Sequence, residues 1–333
     1  MTQHTFTDTC ERPRQDLAAG PPARRPESDG PVTTFASVLV GVVDGSGGRD
    51  AIVLGEVLRD PDGVMTLAHV VLVPTPGYRN FAFTPAGKSA REMLERQAAA
   101  TGVSAQVTGM FAPSVGAGLH QLVADHDADL LVVRRGDRGG EVRLLRADRA
   151  ASGAVSVVPV AVAPPGYGER SPRHIETIGV AYDGSPESEI ALAAARRYAA
   201  RIGATIIALT AVSRTTAAPP VTAAGPRRLW KARALRRLES TANERLQSLH
   251  DVDERVVIGD SADELINFGD QVDLLVVGSR GRGALRRALL GSTSARLAHF
   301  ARCPVLVVPR LDGAVETSKE GVDSARHDAT GHG

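Results

Sequence analysis

"ETIGVAYDGSPESEIALAAARRYAARIGATIIALTAV", residues 176–212, reads as a complete strand, helix and strand. The run TIGVAY is short and rich in residues that favour extended backbone. Ser185 then stands as a helix N-cap, Pro186 fills the first turn, and Glu187 and Glu189 sit near the positive end of the helix dipole. The helical pattern stops at Gly203, and ATIIALTAV begins a second extended run. Both runs are apolar throughout instead of alternating with polar residues. That pattern predicts burial on both faces, as in a parallel sheet covered by helices.

Moving outward, WKARALRRLESTANERLQSLH predicts a helix, with Leu235, Leu238, Ala242, Leu246 and Leu249 on one face. A strand ERVVIG, a helix around SADELINFGD, a strand DLLVVG, a glycine-rich loop, a helix STSARLAHFA and a last strand PVLVVP complete the unit. The same unit occurs earlier in the chain. SVLVGVVDGS at 37–46 returns as ETIGVAYDGS at 176–185, DADLLVV at 127–133 as QVDLLVV at 271–277, and VPVAVAP at 158–164 as CPVLVVP at 303–309. Asp44 thus pairs with Asp183, Asp129 with Asp273 and Pro159 with Pro304, in one order and at nearly one spacing. A repeat this long means two copies of one domain, because solenoid repeats have periods of roughly 20–50 residues. The predicted architecture is α/β, with two tandem doubly wound parallel-sheet domains at 35–165 and 174–310. PPGYGERSPR supplies the linker, 166–173, and polar arms at 1–34 and 311–333 are expected to be disordered.

Composition narrows the function. The chain of 333 residues is 43% hydrophobic but only 4% aromatic, so its core is built from Val, Leu, Ile and Ala. A net charge of +1 gives no electrostatic footprint for nucleic acid. The arginine-rich stretch around Trp230 (Arg227, Arg228, Lys231, Arg233, Arg236 and Arg237) reads as the polar side of an amphipathic helix. Apolar runs fall far short of the roughly 20 residues that span a bilayer, and the N-terminal arm has no apolar core of a signal peptide. A soluble, cytoplasmic protein with no membrane partner is expected. Cys10 and Cys303 make no disulfide framework, and the histidines, His69, His120 and His299 among them, form no ligand-spaced pair. Cys303, beside Pro304, reads as a small buried apolar residue.

The chemistry concentrates in GSRGRGALRRALLGSTSARLA, residues 278–298. Glycines let a backbone approach a ligand closely, and the amides of a helix's first turn point at an anion. There is no G-x-x-x-x-G-K-[ST], and the glycine spacing does not fit G-x-G-x-x-G. Arg280, Arg282, Arg286 and Arg287 crowd the loop, either facing phosphates or forming a solvated rim.

Gly278, two residues, Gly281, nine residues, then Gly291 and Ser292 resembles the nucleotide-binding motif of the universal stress proteins. The Asp-Gly-Ser after the first strand, DLLVVGSRG and the closing CPVLVVP extend the resemblance across 174–310. It implies an adenine nucleotide alpha hydrolase-like fold, with ATP lying across the carboxyl ends of the central strands. By position, Ala181 and Asp183 would sit near adenine and ribose, and Ala211 or Val212 near adenine. Gly278, Gly281, Gly291, Ser292 and Thr293 would hold ribose and phosphates. A Mg ion beside Asp183 would suit the triphosphate. The resemblance also implies pairing of the two copies through their last strands, 157–163 and 304–309, with room for a homodimer on top.

The first copy departs from this pattern. Arg134 stands where Gly278 stands in the second, and no Gly-Ser or Gly-Thr follows at the matching distance. It is expected to bind no ATP and to serve as a structural partner. Its opening loop, DGSGGRDA at 44–51, approaches the Ser-Gly-Gly-x-Asp-Ser signature of pyrophosphate-loop enzymes that adenylate substrates. Ser46, Gly47, Gly48 and Asp50 fit, but Ala51 replaces the last hydroxyl. A slow ATPase or an adenylating enzyme is therefore the alternative to a non-enzymatic ATP-binding stress or signalling protein. No nucleophile with a neighbouring base supports it.

Overall fold

The computed structural model describes residues 35–43, 47–73, 81–136, 158–170, 174–212, 236, 240, 251–279 and 292–309. Both arms, Asp44, Trp230, Gly281, Gly291 and the four loop arginines lie outside them, as does the predicted helix at 230–250 apart from residues 236 and 240.

Ten strands form one sheet: β1 (Phe35–Gly41), β2 (Arg59–Leu72), β3 (Gln106–Ala112), β4 (Leu130–Arg134), β5 (Val160–Ala163), β6 (Thr177–Ala181), β7 (Thr205–Val212), β8 (Asp253–Ile258), β9 (Leu274–Gly278) and β10 (Val305–Val308). Their order is β3-β2-β1-β4-β5-β10-β9-β6-β7-β8, so each half runs through the same sequence of strands from its outer edge to the centre. Neighbours are parallel within each half. At the centre β5 and β10 are antiparallel, with Val305 opposite Val162, Leu306 opposite Ala161 and Val307 opposite Val160. Pairing these two strands hides an edge that each half would otherwise leave open.

Among the described residues the helices are α1 (Gly47–Leu58), α2 (Pro85–Thr101), α3 (Val115–Asp125), α4 (Tyr167–Arg170), α5 (Pro186–Ile202), α6 (Ser261–Phe268) and α7 (Ser292–Phe300). They cover both faces of the sheet, which explains the unbroken apolar strands. Along β9, Leu274 and Val276 face one layer of core while Leu275 and Val277 face the other, all at most 3% exposed. The ends of α5 follow local chemistry. Ser185 Oγ accepts from the Ser188 amide at 3.3 Å, and Gly203 closes the helix at φ 75°, a left-handed value that favours glycine.

The halves are also tied through side chains. On one face, the Tyr198 hydroxyl of α5 donates to the Val57 carbonyl at 2.9 Å, and Arg201 grips Asp60 with two bonds of 2.5 and 2.6 Å. Burial pushes the Tyr198 phenol well above the ordinary tyrosine range. A raised folded-state value keeps the ring neutral, so its contribution is complete below pH about 10 and is lost as the unfolded chain ionises above that. Tyr198→Phe is expected to cost about 1 kcal/mol at pH 7.5 and to flatten the loss of stability above pH ~10. Urea midpoints at the two pH values measure both effects.

Of the linker read at 166–173, residues 171–173 lie outside the described residues, Glu169 and Arg170 are exposed, and 166–168 are half-buried. Asp50 on α1 is the cause: its carboxylate accepts from the amides of Gly166 at 3.0 Å and Gly168 at 2.8 Å. Arg134 Nε lies 3.5 Å from the same carboxylate.

Candidate functional site

At the carboxyl ends of β6, β7 and β9 the structure opens a cleft of about 550 Å³. Ligands of open parallel sheets collect beyond these ends, and small-molecule sites run from roughly 300 to 1,000 Å³. Leu209, Leu265, Val277 and Leu297 give it an apolar lining, and the first turns of α5, α6 and α7 contribute Ser188, Ser261, Ser292, Thr293 and Ser294.

Each wall is fixed by its own hydrogen bonds. Asp183 Oδ1 accepts from the Ser185 amide at 3.1 Å across Gly184, whose φ is 72°, so β6 turns directly into α5. Thr210, buried on β7, donates to the Tyr182 carbonyl at 2.8 Å, and the Tyr182 hydroxyl donates to Glu189. Ser294 Oγ donates to the Gly278 carbonyl at 3.1 Å and joins the end of β9 to α7. Asp260 caps α6 through the amides of Ala262 and Asp263, and Arg296 of α7 reaches both Asp260 and Asp263 at 2.9 and 2.6 Å. The Asp263 amide, followed by the Ala262 amide and Arg296, holds the Asp260 carboxyl below the usual range against a smaller opposing desolvation.

Of the residues singled out in the sequence, Ala181, Asp183, Ala211, Gly278, Ser292 and Thr293 all line this cleft. Gly281 and Gly291 lie outside the described residues. Val212 is not brought to the cleft: it is 7% exposed, and its carbonyl accepts from Gly259 at 3.1 Å. Adjacent strand side chains point to opposite faces, and here it is Ala211 that lines the cleft. Tyr182, Ser185, Glu187, Ser188, Leu209, Ser261, Leu265, Val277, Ser294 and Leu297 line the cleft without being singled out in the sequence as site residues, although Ser261 begins a helix beside a strand's carboxyl end and is open to the same rule.

Gly278 also has a structural reason to be glycine. A Cβ there would fall 2.3 Å from the Glu187 carbonyl oxygen, because α5 begins directly against the end of β9. Among the described lining residues, Asp183 and Glu187 carry negative charge and no side chain is basic. Among the described residues, the first turns of α5, α6 and α7 bring the positive ends of helix dipoles to the cleft. In the first half, Arg134 occupies the corresponding strand end beside Asp50. The Asp50 that fits the pyrophosphate-loop pattern thus spends its carboxylate on the 166–168 backbone. No group of three or more His, Cys, Asp or Glu side chains able to hold a metal occurs among the described residues. Nor is any described helix long and apolar enough to cross a membrane. Cys303 is buried, which pushes its thiol up to about 12, so thiolate is scarce at neutral pH. Iodoacetamide at pH 8 is expected to leave Cys303 unlabelled until the protein is denatured, as read by mass spectrometry of the peptide.

Comparison with known proteins points one way. The model of the universal stress protein family matches residues 174–309. A universal stress protein encoded in the QAH/OAS sulfhydrylase 3' region of Thermus aquaticus is 34% identical over 138 residues, covering 40% of this chain and 98% of that protein. A universal stress protein of Mycolicibacterium smegmatis is 49% identical over 55 residues, 16% of this chain, and the match spans only 19% of that relative's length. Among solved structures, a universal stress protein from Archaeoglobus fulgidus superposes with a TM-score of 0.53 at 16% identity, covering 83% of this chain and 98% of that one. The likeness to that structure is one of fold.

Proposed function

The chain belongs to the universal stress protein family, and from that premise we propose that its second half binds ATP in the cleft beyond β6, β7 and β9. The observation that carries this reading is the convergence of Ala181, Asp183, Ala211, Gly278, Ser292 and Thr293 on one apolar-lined cleft. Leu209, Leu265 and Val277 suit the faces of an adenine ring, and Asp183 suits ribose hydroxyls. Ser292, Thr293 and the first amides of α7 suit phosphate oxygens. One carboxylate together with the phosphates is an ordinary way to hold Mg, so Asp183 is also the residue to hold that ion.

The role is non-enzymatic: nucleotide occupancy sets conformation or partner choice in a cytoplasmic stress response or signal, with the first half as structural support. Neither nucleic acid nor membrane is a partner. Labelled ATP incubated with the purified chain is expected to stay intact over hours. Appearance of ADP, or of AMP and pyrophosphate, would instead favour the slow hydrolase or the adenylating enzyme. Asp183→Ala is expected to weaken ATP binding roughly tenfold, the worth of one hydrogen bond to a charged group. Isothermal titration of both chains measures it.

A further inference from the structure

We infer that the first half sets the nucleotide affinity of the second by anchoring the far end of α7, with Arg135 as the positioning residue; this rests on the nucleotide-binding reading above. Two independent contacts carry it. Arg135 immediately follows β4 of the first half, and its amide is fixed to the Ala163 carbonyl at 2.8 Å. Its guanidinium crosses to the second half and donates to the Ala301 carbonyl, just past the C-terminal end of α7, at 2.5 Å. One turn earlier, Ala298 belongs not to its own half's core but to the core layer of the first half that contains Leu131, Val133, Val160 and Val162. Leu297 and Ala301 face the core of the second half. The helix is therefore wedged between the halves at one end while Ser292, Thr293 and Ser294 line the cleft at the other.

The lever is short and stiff. From Ser292 to Ala301 the helix rises about 14 Å, so a tilt of about 10° about the anchored end displaces its first turn by about 2 Å. Ligand-holding groups need placement within roughly 0.5 Å. A cation at the negative end of the helix also matches the dipole whose positive end faces the proposed phosphates. Arg135 is not among the described residues that line the cleft, so its effect on a ligand is carried by the helix it holds.

Titrating ATP into the full chain, Arg135→Gln and Arg135→Lys, with hydrogen exchange of the 292–296 amides in each, tests this. Arg135→Gln is expected to weaken ATP roughly tenfold and to speed exchange across 292–296, while Arg135→Lys recovers part of both. A merely structural role would lower the melting temperature but leave the affinity well below it unchanged. Binding by the unsubstituted chain with equal affinity in Arg135→Gln overturns the inference alone. Absence of binding by the unsubstituted chain overturns the nucleotide reading and this inference with it.

Discussion

Gly278→Val is expected to abolish ATP binding, weakening it at least roughly a hundredfold, and to destabilise the fold by about 1–3 kcal/mol. The new Cβ would meet the Glu187 carbonyl oxygen at 2.3 Å, its carbon at 2.6 Å and the Glu187 Cβ at 3.0 Å. The first two are backbone atoms, so no rotamer change relieves them. Relief requires β9 and α5 to separate, and the Gly278 carbonyl also holds Ser294 at 3.1 Å. The displacement therefore reaches α5 and α7 together, both of which line the cleft. Titration calorimetry and urea denaturation read the two effects. Gly278→Ala, with the same first contact but less bulk, keeps the test open if the valine variant does not fold. Unchanged ATP affinity in folded Gly278→Ala would show that the seam between β9 and α5 does not define the site.

The second large effect belongs to the half without the cleft. Asp50→Ala is expected to destabilise the protein by about 2–4 kcal/mol. The Asp50 side chain is 7% exposed, accepts two amides and lies 3.5 Å from Arg134 Nε. Truncation strips both amides of their acceptor and removes the negative charge facing a half-buried guanidinium. Asp50→Asn keeps one carbonyl oxygen and should recover part of the loss. Urea midpoints of the three chains measure the series, and proteolysis near 165–170 should quicken in the order wild type, Asp50→Asn, Asp50→Ala.

What the sequence made legible was local chemistry. The caps of α5 could be read because Ser185, Pro186 and Gly203 act within a few residues of themselves, and the apolar runs could be read because burial on both faces leaves no alternation. The repeated DLLVV located the matching strands β4 and β9 of the two halves. Contacts between distant segments were not legible. Nothing near Gly166 indicates that its amide is held by Asp50, 116 residues earlier. In sequence Gly278 reads as room for a ligand, although the Glu187 carbonyl also needs that space. The choice between Ala211 and Val212 needed the register of β7, which propensity does not supply. Arg135 is ordinary in sequence, and its importance lies in the end of a helix from the other half.

The most direct test is calorimetric titration of ATP with Mg into the full chain. Saturable binding with one nucleotide per chain is expected, lost in Gly278→Val and retained in Arg134→Gln. Two nucleotides per chain, or no heat at millimolar ATP, would contradict it.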